Sequence, residues 1–141
     1  MQTKKILLLV ITIGLFITTF AQNKFELKGN KKFQKFIFDE AISLYEKSDT
    51  LTPIGLRNLA EGYRFLNRLE DSKKVYEKII VSKYKINEDI FIYAQLNKML
   101  GFYSISDEWM KKFYFADSTD SRAKSQYLFP EYAKVLMENP Q

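Results

Sequence analysis

Paired carboxylates are the first residues in this sequence that could do chemistry. Asp39-Glu40, Glu70-Asp71 and Asp107-Glu108 are adjacent acids, and Glu88-Asp89 is a fourth such pair. Two carboxyl groups in different surroundings can divide general acid and general base work. Here, however, the pairs recur at the starts of segments with helical periodicity. A carboxylate there stabilises the positive end of the helix dipole, so a structural role is expected of all four. The chain has no His and no Cys. That excludes Ser-His and Cys-His nucleophiles, Cys/His metal sites and disulfides. Ser121 and Lys124 spell Ser-x-x-Lys within SRAK, but they open a polar helix with nothing convergent around them. The five glycines are scattered and form no phosphate-cradling loop. The expectation is a non-enzymatic chain with no catalytic residues, no cofactor and no metal.

Aromatic side chains make up 16% of the 141 residues and are interleaved with Lys and Arg. Such a mix can stack on and neutralise nucleic acid. Most of these rings fall on apolar helical stripes, which assigns them to a core instead. The formal charge is +5, and +3 once Lys4 and Lys5 are set aside, too mild a balance to argue for nucleic acid. With 46% hydrophobic and 28% charged residues, the composition is that of one globular domain.

Residues 1–21 read as a signal peptide. Lys4 and Lys5 give a positive start, Ile6–Ile17 is nearly continuous apolar sequence, and Thr19 and Ala21 are small residues at the −3 and −1 positions. Cleavage is expected between Ala21 and Gln22. The apolar run is short for a spanning helix, which needs about 20 residues. No Cys follows it for lipid attachment. The expected location is the periplasm or cell envelope, with no membrane span after cleavage.

The segment that positions everything else is Leu56–Ile80. Leu56, Leu59, Ala60, Tyr63 and Leu66 recur at helical spacing, with Pro53 at the first turn and Thr52 as N-cap. A second stripe runs through Leu69, Val75, Tyr76, Ile79 and Ile80. Around this pair the spacing predicts further helices over Phe25–Gln34, Phe36–Ser48, Ile90–Leu100 and Tyr103–Phe115. Gly101 is the expected turn or C-cap residue. Ser118 or Asp120 caps a helix over Arg122–Leu128, and Pro130 interrupts before a last short helix to Met137. Tyr127, Leu128, Phe129, Tyr132 and Leu136 should pack on Tyr103–Phe115.

The helix pairs repeat. Ala60 and Ala94, Leu69 and Tyr103, Ser72 and Ser106, and Tyr76 and Met110 share one interval of about 34 residues. Ala41 and Ser72, like Tyr45 and Tyr76, share an interval slightly shorter. Two helices per roughly 34 residues is the tetratricopeptide period. The residues agree with it: Leu56, Leu59, Ala60, Tyr63, Ser72 and Tyr76 in the middle repeat, Ile90, Tyr93, Ala94, Ser106 and Met110 in the third, and Phe25, Gly29, Ala41, Tyr45 and Pro53 in the first. The chain resembles the tetratricopeptide repeat family. The resemblance implies an all-α helical-hairpin solenoid of about three repeats (residues 22–52, 53–86 and 87–116) with a capping or linker segment over 117–141. Lys28, Lys32 and Asn97 depart from the family's apolar and aromatic positions. The run DEWMKKF followed by DSRAK also resembles the N-terminal tetratricopeptide region of exported OmpA-family envelope proteins of Bacteroidetes, some of them associated with type IX secretion. Nothing here matches those proteins' propeller or peptidoglycan-binding domain, so peptidoglycan binding is not carried over. The alternative this raises is a truncated or accessory piece of such a protein.

By the same resemblance, the first helix of each repeat lines a concave face. The positions it would present are Asn23, Glu26, Asn30 and Phe33, then Ile54, Arg57, Glu61 and Arg64, then Glu88, Phe91, Gln95 and Lys98. Asn30, Arg57, Glu61, Arg64, Gln95 and Lys98 are the expected partner-binding residues, with Arg57, Arg64 and Lys98 as a basic strip for a carboxylate. Of the family's chaperone-tail clamp only Asn30 matches, so that ligand is not expected. The function implied is a protein-interaction module or scaffold that binds a protein or peptide in the bacterial cell envelope.

Overall fold

A computed structural model describes residues 24–138. Residues 1–23, which include the expected signal peptide and Asn23, lie outside them. The described residues are helical and contain no strand. Helix α1 covers residues 24–34. It is followed by α2 (Phe38–Glu46), α3 (Pro53–Phe65), α4 (Leu69–Ile80), α5 (Asn87–Met99) and α6 (Tyr103–Ala116). A C-terminal segment comprises α7 (Ser121–Ala123), a π-helical stretch (Lys124–Leu128) and α8 (Phe129–Glu138). The chain divides into two compact units, Met1–Leu66 and Asn67–Gln141, so the boundary falls between α3 and α4.

In the first unit α2 packs on α3. Ala41, Ile42, Tyr45, Leu59, Ala60 and Tyr63 are buried. α1 joins through Gly29, where an added Cβ would lie 2.7 Å from the Tyr45 ring. No larger residue fits between those backbones, which is why the small position of the first repeat is glycine. Thr52 caps α3, its hydroxyl accepting from the Gly55 N–H at 3.1 Å, with Pro53 in the first turn.

In the second unit α5 packs on α4 and α6, and α6 on the C-terminal segment. Ile90, Ala94, Met110, Phe113 and Ala123 form its core, with Phe91, Trp109, Tyr114 and Tyr127 against it. The small positions Ser72, Ala94 and Ser106 are at most 3% exposed, as the repeat pattern requires. The backbone repeats as well. The turns inside the three helix pairs each place one residue at positive φ, namely Phe36 (59°), Asn67 (58°) and Gly101 (83°). Those positions are separated by the same two intervals as the matching side chains.

Several expectations are corrected. α2 starts at Phe38, because Phe36 occupies the left-handed turn. Asp107 and Glu108 lie beyond the first turn of α6. They are not at the dipole position, and Glu108 instead pairs with Lys112 one turn on, at 2.7 Å. Pro130 does not interrupt the final helix. A proline ring collides with the carbonyl four residues back in a regular helix. Here the preceding turn is widened: the Phe129 N–H donates five residues back to Lys124 O, and the helix continues through the proline. Tyr127 packs on Tyr114 and Phe115, but Phe129 is 61% exposed. The side chains of Tyr132 and Leu136 lie outside the described residues. Phe25, expected in the core, is exposed as well.

Candidate functional site

The first-helix residues in the first unit divide into internal and open ones. Glu26 is 3% exposed. Its carboxylate accepts from the Thr52 N–H at 2.9 Å and from the Thr52 hydroxyl, tying α1 to the start of α3. Asn30 is half-buried. Its Oδ1 accepts from the Tyr45 hydroxyl at 2.8 Å and from Asn58 Nδ2 at 2.9 Å. Burial pushes the Tyr45 phenol up to about 12, with the Asn58 hydrogen bond opposing the shift. Glu26 and Asn30 therefore help hold the unit together, and Glu26 is buried. Sequence reasoning missed Asn58 and Thr52 as their counterparts, since neither spacing nor residue type distinguishes a long-range polar pair.

On α3, Glu61 and Arg64 stand three residues apart and form a fork-to-fork pair, with Arg64 Nε donating at 3.1 and 3.0 Å. Arg64 also lies over the Phe65 ring at 5.3 Å. Arg57 is half-buried one turn or more away on the same helix, and Ile54 is exposed. The expected basic strip on α3 is thus an exposed guanidinium already held by a carboxylate, which orients it.

In the second unit α5 carries Glu88, Phe91, Gln95 and Lys98. Three of these are engaged by the C-terminal segment. The Arg122 guanidinium donates to both Glu88 oxygens at 3.0 and 2.9 Å and to Asp120, and lies 4.3 Å over the Phe91 ring. Hydrogen bonds to Asp120 and then Glu88 raise its pKa further, so it stays charged at any accessible pH. Gln95 Nε2 donates to Gln126 Oε1. Gln95 is half-buried beside this bond, while Lys98 is exposed. Asp120 also caps α7, accepting from the Arg122 N–H at 2.8 Å.

Two of the paired carboxylates are held by local hydrogen bonds. Asp71 is held below the usual carboxylate range by its hydrogen bond from Arg68. Asp89 is buried and accepts from the Ile86 N–H at 2.8 Å, closing the start of α5. Among the described residues no group of acids is placed to hold a metal ion. A second feature shows in the sequence only as a pair of departures from the repeat, Lys28 and Lys32. They line a groove between α1 and α2 together with Lys31, Lys35 and Lys47.

No family model matches the chain, and no curated protein matches it. Solved structures do. The first TPR domain of Spaghetti (RPAP3), bound to the HSP90 peptide SRMEEVD, matches with a TM-score of 0.64 at 17% identity, over 81% of this chain and 93% of that one. The Sgt2 TPR domain from Aspergillus fumigatus matches with a TM-score of 0.57 at 20% identity, over 86% of this chain and 83% of that one. At these identities the likeness is one of fold, and the fold of this chain is that of tetratricopeptide-repeat domains.

Proposed function

We propose that this chain is a non-enzymatic protein-interaction module that takes a peptide segment of a partner protein on the exposed side of its repeat helices. The observation that carries the proposal is the fold itself, helical hairpins whose likeness among solved structures is to TPR domains, one of them bound to a peptide. The α3 face with Arg57, Glu61 and Arg64 is its point of contact, because Arg64 is exposed and its guanidinium is already oriented by Glu61. In the second unit Lys98 on α5 is an exposed cation in its own right. Asn30 and Gln95 act from behind as positioning residues through their bonds to Asn58 and Gln126. Residues 1–21, with the features of a signal peptide, support export and a place in the periplasm or cell envelope, which the sequence of the N-terminus of the secreted chain would check. No helix among the described residues is long and apolar enough to cross a membrane.

The likeness of DEWMKKF and DSRAK to exported OmpA-family proteins supports a place beside such envelope proteins. The residues concerned do structural work: Met110 and Phe113 lie in the core, and Asp120 and Arg122 form the clamp. Cross-linked partners recovered from envelope fractions test the module. Wild type should retain a partner that Arg57→Glu/Arg64→Glu loses by tenfold or more in yield. An unchanged partner set would remove the α3 face from the proposal.

A further inference from the structure

The face between α1 and α2 is unlike the rest of the molecule. It carries an open groove of about 640 Å3. One wall carries Lys28, Lys31, Lys32 and Lys35, the other carries Asp39, Glu40 and Lys47, and Leu44 lies on its lining. Lys32 is committed to Glu40 at 2.6 Å. Lys28, Lys31, Lys35 and Lys47 form no ion pair among the described residues, and all four are exposed.

The later repeats show what these positions usually do. Leu59 and Tyr63 are the counterparts of Lys28 and Lys32 one repeat on, Tyr93 and Asn97 are their counterparts in the repeat after that, and all four are buried. Exposure at the first repeat explains polar residues there. It does not explain why the four charges on the Lys28–Lys35 wall are all positive. A face that merely needs solvation is served by interspersed charges, whereas like charges along one groove repel one another, by about 1 kcal/mol for a close pair in water. An anion in the groove relieves that repulsion.

We infer that the α1–α2 groove binds an acidic, extended peptide segment. Three observations select that occupant. Lys28 and Lys31 on one side of α1, and Lys35 in the turn that follows it, form a row spanning about 10 Å at 1.5 Å per residue. An extended chain presents alternate side chains on one side every ~6.8 Å, so two or three alternating acids fit the row. The opposite wall carries Asp39 and Glu40, acceptors that suit the backbone N–H groups of a peptide and would repel a continuous line of phosphates. No aromatic side chain lines the groove, so nothing there stacks a nucleobase. No lining residue comes from α3, so this site is independent of the Arg57/Arg64 face.

Fluorescence anisotropy with a labelled peptide of alternating Glu and Val tests the inference on the purified protein. The comparisons are the same peptide with Gln for Glu, polyphosphate, and phosphatidylglycerol vesicles. The Glu peptide should bind, and bind more weakly as salt rises. It should lose at least tenfold in affinity with Lys28→Glu/Lys35→Glu, both exposed positions, while circular dichroism confirms the fold. Arg57→Glu/Arg64→Glu should leave its affinity unchanged. Equal affinity for the Gln peptide, tighter binding of polyphosphate or vesicles, or an unchanged Kd in the folded lysine variant would each overturn it.

Discussion

At the scale of single residues, the molecule shows how a repeat tolerates a wrong side chain. Asn97 is fully buried at the position held by Tyr63 one repeat earlier. Its Nδ2 donates to Tyr93 O at 2.8 Å, one turn back, while its Oδ1 is buried with no hydrogen-bond partner. Tyr63 solves the same problem differently by reaching Glu46 with its hydroxyl. A buried acceptor without a donor costs about 1–3 kcal/mol. Leucine has the branching of asparagine and no polar atom. Asn97→Leu should therefore stabilise the protein by about 1 kcal/mol, part of the gain being lost to its larger volume. Urea unfolding followed by Trp109, the single tryptophan, which packs edge-on to Tyr93 in the same unit, reads this directly. An unchanged or lower midpoint would mean that Oδ1 is satisfied in solution by a water.

At the scale of elements, the recurring left-handed turn is the clearest device. Phe36, Asn67 and Gly101 do the same backbone work with very different side chains. A methyl group added at Gly101 would meet nothing within 4 Å, so Gly101→Ala isolates backbone cost from crowding. It should destabilise by about 1 kcal/mol. Phe36 sits in the same conformation while 79% exposed. Phe36→Gly should move the midpoint the other way by less, since glycine's freedom in the unfolded chain and the lost ring contact with Phe38 take back part of the gain. If both substitutions destabilise equally, the turn is held by contacts and not by backbone preference. This device also marks where the sequence is legible. Periodicity locates the helices and the small buried residues, because both follow from one face needing cover. Gly101 announces its turn by type, whereas Phe36 does not, so the start of α2 reads two residues early. Pro130 misleads because local chemistry says break, and a π-helical turn absorbs the clash. The surroundings of the expected site are least legible: Asn30 and Gln95 hydrogen-bond partners 28 and 31 residues away, at a range no local pattern encodes.

At the scale of the whole molecule, helices inside each unit pack on neighbours in sequence, α2 with α3 in the first and α4 with α5, α5 with α6, and α6 with the C-terminal segment in the second, while α1 is also tied to α3 and the C-terminal segment to α5. A chain built this way transmits stability locally, each element depending on those beside it. The C-terminal segment is the sharpest test, because Arg122 is the main polar side chain that links it back to α5, beside Gln126. Arg122 pairs with Glu88, a whole repeat earlier, and lies over both Phe91 and Phe113. The pair itself is about 40% exposed, where ion pairs contribute little. Its packing over two rings is worth more, roughly 1–2 kcal/mol with the cation–π term. Arg122→Ala should therefore raise amide exchange across residues 121–138 by roughly tenfold, following from that free energy. Exchange in α2 and α3 should not change. Arg122→Lys should rescue only partly, since a point charge cannot both fork to Glu88 and lie flat over Phe91. Increased exchange reaching α2 would show that the two units unfold as one, and full rescue by lysine would show that charge alone holds the segment.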